Sequence, residues 1–421
     1  MASVEPVYRI RCSCNQYPWG KTGKESIAAR LCEGQGGWDG DGPKQTFKID
    51  DSKPYAEMWM GTYPELPSYV ADTGEDLQAL IDRNPKELLG EEVMQKFGHS
   101  NLPYLPKVLS IAKALPLQLH PNKEKAAELH KKKPDAFTDP NHKPEIALAL
   151  GKFEAFCGFK PLEDMKSLLE LEPLQQFLSG DQLSNFTDKQ LKTVVRNMLT
   201  ADDATIKKTY SALTSLDKSR YGKQSHIPEL APRLAEQYSE ADPGVLVALI
   251  TMNYLVLQKG DSIYIPADGI HAYLAGDIIE CMARSNNVLN TGFCPTSERS
   301  NVDLFMDCLA FTPHAAEDAI LKPQQYKRSR NGHTQLYSPP MSEFDMLQTE
   351  IGPGQDEVLG PAGGASILIA SQGNGHLRAQ GKEYELAEGS VYFIAQGVGF
   401  ELASKGGQLL VHTAFVEGST K

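Results

Sequence analysis

Four side chains in three separate segments carry donors that a single metal ion accepts. In "LPLQLHPNK" (Leu115–Lys123), Gln118 and His120 stand two residues apart. Positions i and i+2 of a strand share a face, so the amide and the imidazole aim at one point. "NHKPEIALAL" puts Glu145 at the entrance of an apolar strand, and "GDSIYIPADGIHAYL" puts His271 just past a Pro-Ala-Asp-Gly turn. Zinc accepts imidazole nitrogen and carboxylate or amide oxygen, and a catalytic zinc keeps a place for water or substrate. The set has no thiolate, which argues against a purely structural zinc site. It does not exclude iron, manganese, cobalt or nickel. Each residue also has an ordinary role: a buried histidine is more often hydrogen-bonded than metallated, a glutamine satisfies a backbone group, and a glutamate caps a turn. Spacing alone therefore leaves the metal open.

The elements that must position these groups differ along the chain. Residues 1–160 carry short β-like runs broken by Gly and Pro, with one helical patch at "GEDLQALIDRNPKELL". From 161 to 244 glycine is scarce and the apolar spacing turns helical. In "FTDKQLKTVVRNMLT", Leu191, Val194, Val195, Met198 and Leu199 recur at i, i+3, i+4, i+7 and i+8, one face of a helix. Thr187 and Gln190 have the spacing of a capping box. This region reads as a helical insertion that supplies scaffolding and no metal ligand. β-like patterns return from 245 to 320, after the apolar segment "LVALITMNYLVL", and continue from 321 to 421 in "SILIAS", "SVYFIA" and "QLLVHTAF". The reading is mainly β with a helical insertion: one unit from 1–160 and 245–320, the insertion at 161–244, and a C-terminal β domain at 321–421. "GDSIYIPADGIH" and "GSVYFIAQGVGF" share a turn–strand–turn rhythm that sets His271 against Phe400. They read either as ordinary turn units or as two related barrels, of which the first kept its polar ligand.

The bulk properties narrow the function classes. The chain has 421 residues and a net charge of -12. That balance repels nucleic acid, and the longest basic run, "HKKK" at 130–133, fits a helix C-terminus instead. The start "MASVEPVYRI" lacks the charged and apolar regions of a secretory signal, and no stretch approaches the ~18 apolar residues of a membrane span. Seven cysteines, an odd number in a long chain without dense spacing, fit reduced thiols in the cytosol. The expected partner is a small-molecule substrate, with neither nucleic acid nor membrane.

Six motifs, in order along the chain, resemble type I mannose-6-phosphate isomerases: "YPWGK" (17–21), "KPYAEMWMGT" (53–62), "QLHPNK" (118–123), "NHKPE" (141–145), "CGF" (157–159) and "HAYLAGDIIECMA" (271–283). The resemblance implies a cupin (jelly-roll) metal-binding domain, a C-terminal cupin-like domain and one zinc held by Gln118, His120, Glu145 and His271. It implies interconversion of an aldose and a ketose phosphate through an enediol, with Glu280, Lys107 and Lys143 near the reacting atoms. Trp19, Lys21 and Tyr273 match pocket residues of the family. Without the resemblance, Glu280 reads as a partner of a metal ligand and the lysines as surface ion pairs.

Four positions depart from the family pattern. Tyr63 stands where a His is usual, Pro116 where a Ser is, Asn290 where an Arg is, and Thr296 where a Lys is. Tyr63, Arg284 and Asn290 join the substrate-binding candidates, and Arg284 or Arg299 could restore the missing positive charge. These changes cluster in the pocket while the metal ligands stay. They raise an alternative: a diverged cupin enzyme acting on another small molecule, with little mannose-6-phosphate isomerase activity. A non-catalytic sugar- or metal-binding protein is a third reading, against which the retained Glu280, Lys107 and Lys143 count.

Overall fold

The structure, a computed structural model, describes residues 4–40, 42–180 and 183–418. The site is built on a ten-stranded antiparallel sheet system whose organiser is the 13-residue strand His271–Ala283. Its first part pairs with Phe153–Phe159 and, through His271, with Gln118 of Leu117–Leu119. Its second part pairs with Tyr104–Ile111 on one side and Glu145–Ala149 on the other. One strand thus serves two sheet regions and brings together residues far apart in sequence.

The change of region happens at Gly276. Its φ is +122°, and a Cβ there would lie 2.5 Å from the Lys152 carbonyl oxygen, so only glycine fits. The pairing register also shifts between Ala275 and Tyr273. Strict alternation would send His271 and Glu280 to opposite faces. This irregularity rephases the strand, and Tyr273 and Glu280 line the same cavity.

Helices occupy the segment between Leu162 and Thr251. The helix Asp188–Thr200 is capped by the Thr187–Gln190 box and buries Leu191, Val194, Val195, Met198 and Leu199. These five residues join one core with Phe156, Phe159, Leu117 and Leu119, so the helices brace the back of the site strands. Burial of each such side chain contributes roughly 1.5–3 kcal/mol. Helical structure runs past the expected boundary at 244. Pro243–Thr251 is a helix buried at all nine positions, capped by the Asp242 carboxylate, and only Met252–Leu257 returns to strand. A helix that is apolar all round shows no amphipathic period, so the segment carries no helical spacing in the sequence.

The C-terminal part forms an eight-stranded and a four-stranded sheet. Val7–Arg11, near the start of the chain, pairs with Val391–Ile394 and lies in this eight-stranded sheet. Val7 and Ile10 are the two residues this strand buries in that core. The two similar segments have like roles locally. Ser262–Ile265 leads to His271, and Val391–Ile394 leads to Phe400, each the first residue of the next strand.

Candidate active site

His120, Glu145 and His271 come together as sealed neighbours. His120 Nε2 lies 3.2 Å from Glu145 Oε1, and His271 Nε2 lies 3.7 Å from Glu145 Oε2. All three are buried, and one donor atom of each falls within 4.8 Å of the others. The outer ring nitrogens are fixed by backbone carbonyls: His120 Nδ1 donates to Asn287 at 2.7 Å and His271 Nδ1 to Gly269 at 3.0 Å. That sets the Nδ1–H tautomer and leaves each Nε2 as a lone pair facing the cluster.

Both Nε2 atoms are buried without a hydrogen-bond partner. Burial, and the nearby Lys143 charge, push the His120 pKa down to about 4; burial also lowers that of His271. Two neutral imidazoles and an ionised carboxylate with unused lone pairs fit a divalent cation. Gln118, paired in register with His271, lines the adjoining cavity.

Glu145 is heavily buttressed. Burial by itself would raise its pKa, but the Lys143 charge, joined by the two imidazoles only when they are protonated, outweighs it and holds the carboxyl well below its ordinary range. Lys143 Nζ lies 3.4 Å away and the Tyr273 hydroxyl donates to Oε2 at 3.2 Å.

The cavity beside the cluster has a volume of about 270 Å3. Lys107 and Glu280 occupy its floor, directly opposite each other on paired strands, with Nζ and Oε2 3.2 Å apart. Glu57, which the sequence reading did not single out, completes the group 3.6 Å from Lys107. Trp59 braces it: its indole N–H donates to Glu57 at 2.5 Å, and Lys107 Nζ sits 4.6 Å from its ring centroid. Burial, then the Glu145 charge, push the Glu280 pKa up to about 7. Burial works against the Lys107 charge, yet Glu57 and Glu280 more than offset it and raise its pKa. Tyr17, Trp19, Leu115, Pro116 and Val288 give the cavity an apolar rim, and Asn290 lies beside Gln118. The signal for Glu57 was in the quoted "AEMW" run, two residues before Trp59 on one face of a strand.

Three of the expected substrate-binding residues lie elsewhere. Lys21 is paired with Asp277. Tyr63 and Arg284 line a neighbouring cavity of about 510 Å3. The Arg284 guanidinium donates to the Thr62 carbonyl at 3.2 Å and lies 5.0 Å from the Tyr63 ring centroid, which holds both there. Arg299 is committed to Asp242 at 3.2 Å, and Thr296 is exposed on a short turn. Neither arginine restores a charge to the cavity wall.

The phosphomannose isomerase type I catalytic-domain model matches residues 7–162, and the type I C-terminal model matches residues 335–382. Mannose-6-phosphate isomerase of Saccharomyces cerevisiae is 35% identical over 439 residues, covering 98% of this chain and 99% of its own length. That of Schizosaccharomyces pombe is 36% identical over 388 residues, covering 88% and 90%. The chain belongs to the type I phosphomannose isomerase family. A zinc-bound mannose 6-phosphate isomerase structure superposes with a TM-score of 0.79 at 25% identity, covering 98% of this chain and 100% of that one. The Salmonella typhimurium enzyme bound to fructose 6-phosphate and zinc superposes with a TM-score of 0.80 at 24% identity, which shows the shared cupin-like fold. Family membership along the whole chain does not favour the alternative of a diverged enzyme with a different reaction.

Proposed function

We propose that the chain is a zinc-dependent aldose–ketose isomerase that interconverts mannose 6-phosphate and fructose 6-phosphate. One observation carries the reading: two orphaned imidazole nitrogens sit against Glu145, which lines the same cavity as a carboxyl poised near neutrality. Gln118, His120, Glu145 and His271 would hold the ion. A bound zinc would supply Lewis-acid stabilisation of negative charge developing on the substrate. Glu280 is the proton carrier: with a pKa near 7 it can take the C2 proton and return it at C1. Lys107 holds the Glu280 carboxylate in place and adds positive charge beside the developing enediolate. Lys143 and Tyr273 orient Glu145. The rim formed by Trp19 and its apolar neighbours shields the reacting carbons from water.

We further read the protein as three functional parts: the metal-binding barrel, the helical brace and the C-terminal barrel. Among the described residues no helix is long and apolar enough to cross a membrane, and all seven cysteines are free thiols, which supports a reducing compartment such as the cytosol.

The test is steady-state conversion of mannose 6-phosphate with metal content measured on the same sample. About one zinc per chain and turnover that disappears with chelator are expected. A fully zinc-loaded protein without turnover would overturn the reading.

A further inference from the structure

Trp59, Lys107 and Glu280 stand directly opposite one another on three adjacent strands, Glu57–Trp59, Tyr104–Ile111 and His271–Ala283. Lys107, in the middle, has two carboxylates within reach: Glu280 at 3.2 Å and Glu57 at 3.6 Å. It leans toward Glu280, and the third residue of the row supplies a reason. The Trp59 indole N–H donates at 2.5 Å to Glu57 Oε2, the same oxygen that faces Lys107. That oxygen already has a donor closer than the ammonium. Glu280 has no such second donor: among the described residues Lys107 is its one ion-pair partner.

The indole is held in place. Trp59 is 5% exposed and packs with Tyr63, Leu66, Leu105 and Met282 in a small core of its own. The Tyr63 ring meets it edge-on, with centroids 5.9 Å apart. Lys107 Nζ lies 4.6 Å from the indole centroid, so the side chain that occupies Glu57 also walls in the ammonium on a third side. Glu57, Lys107 and Glu280 line the cavity, and Trp59 stands behind them.

We propose that Trp59 is a positioning residue for the proton transfer: by occupying Glu57 with its indole N–H, it leaves the Lys107 ammonium to Glu280. What Glu280 does rests on the isomerase reading; the sharing of Lys107 does not. Without the N–H, Glu57 is a buried carboxylate whose remaining cationic neighbour within 4 Å, among the described residues, is Lys107. An unmet buried acceptor is costly, so the ammonium is drawn from Glu280 toward Glu57. Glu280 is also faced by Glu145, Lys143 and Tyr273, which this exchange leaves in place.

The experiment compares zinc-loaded wild type, Trp59→Phe, Glu57→Gln and the double variant in the pH dependence of kcat and KM for mannose 6-phosphate. Phenylalanine keeps an aromatic ring and removes the N–H. In Trp59→Phe the rising limb of kcat should move to higher pH by roughly 0.5–1 unit, with zinc content and KM little changed. Glu57→Gln gives Lys107 to Glu280 alone and removes a negative charge, so its limb should move to lower pH. In the double variant the limb should stay where Glu57→Gln puts it. A limb that Trp59→Phe leaves in place, or moves equally with and without Glu57, would overturn the proposal.

A second measurement needs neither turnover nor the tryptophan variant. The Trp59 indole proton, identified by its displacement in Glu57→Gln, is followed by NMR in the substrate-free, zinc-loaded wild type from pH 5 to 9. As Glu280 takes up a proton it releases Lys107 toward Glu57, so the indole resonance should shift near neutral pH. That shift should vanish in Glu57→Gln. An indole proton indifferent to pH in the wild type would defeat the proposal. A responsive one in a protein that does not isomerise mannose 6-phosphate would defeat the functional reading and leave the sharing of Lys107 intact.

Discussion

Lys107 and Glu280 face each other across two paired strands, their charged ends 3.2 Å apart and both side chains about 5% exposed. A carboxyl in this position is pulled two ways: burial and the Glu145 charge raise its pKa, while Lys107 lowers it. The Glu280 pKa of about 7 lies above its ordinary value of 4.5, so its contribution to stability is full below pH 4.5 and is lost as pH rises through 7. Activity has the opposite sense, because the carboxylate is the form that accepts a proton. Turnover should rise with pH along a limb centred at or somewhat below 7, since a cation at Glu145 offsets part of the upward shift. Lys107→Met removes the lowering influence, so the limb should move to higher pH as well as losing height. A kcat profile between pH 5 and 9 checks this; a limb that stays in place would detach Glu280 from Lys107.

His120→Ala combined with His271→Ala should abolish metal binding, because it removes both unpartnered Nε2 donors. Elemental analysis of the purified double variant reads the outcome directly. Retention of a full equivalent of zinc would remove the site from these residues.

Asn287 offers a test of how the ligands are steadied. Its carbonyl fixes His120, while its side-chain amide donates to the Asp139 carbonyl at 2.7 Å and to the Asn141 carbonyl at 3.0 Å, on the loop that leads to Lys143 and Glu145. Asn287→Ala should destabilise the metal-free protein by about 1 kcal/mol, mainly from the part-buried Asp139 carbonyl losing this donor, since the Asn141 carbonyl keeps the Ser285 hydroxyl. Zinc affinity should fall by roughly 10–100-fold as His120 and the Glu145 loop loosen. Thermal unfolding of the metal-free form and chelator competition separate the two effects. A stability loss with unchanged zinc affinity would limit Asn287 to the fold.

The candidate cluster of His120, Glu145 and His271 was legible because each residue sits in a short motif whose donor chemistry survives without knowledge of the fold. The helix at Asp188–Thr200 was legible because one face is apolar and the rest is polar. Pro243–Thr251 was not, since uniform apolarity carries no period. That Tyr63 and Arg284 line the neighbouring cavity has a different reason. Both flank motifs that do line the cavity, but Arg284 meets the Thr62 carbonyl and the Tyr63 ring before it can reach inward. Such competition between partners is tertiary and leaves no mark on spacing. Glu280 shows the sharpest limit: counted by alternation from His271 it should face away, and only the irregularity around Gly276 turns it in.

That irregularity yields the last prediction. At Gly276 an alanine Cβ would meet the Lys152 carbonyl oxygen at 2.5 Å and the Phe153 Cα at 2.9 Å, both backbone atoms that cannot swing aside, at a φ of +122°. Strain of this kind costs about 1–3 kcal/mol before the clash is added. The chain can relieve it by shifting the segment between His271 and Glu280. His271 itself is tied to Gln118, Cys157 and the Gly269 carbonyl, so the metal end should hold. Glu280 is the end that moves relative to the cluster. Gly276→Ala should therefore lower the unfolding temperature, keep near-stoichiometric zinc, and lose kcat by about 10-fold or more, since a misplacement near 1 Å already costs that much. Metal content and steady-state kinetics on the folded fraction measure both halves. Loss of zinc with kcat per bound metal unchanged would mean that the bend positions His271, and that Glu280 takes its place from the Lys107 strand alone.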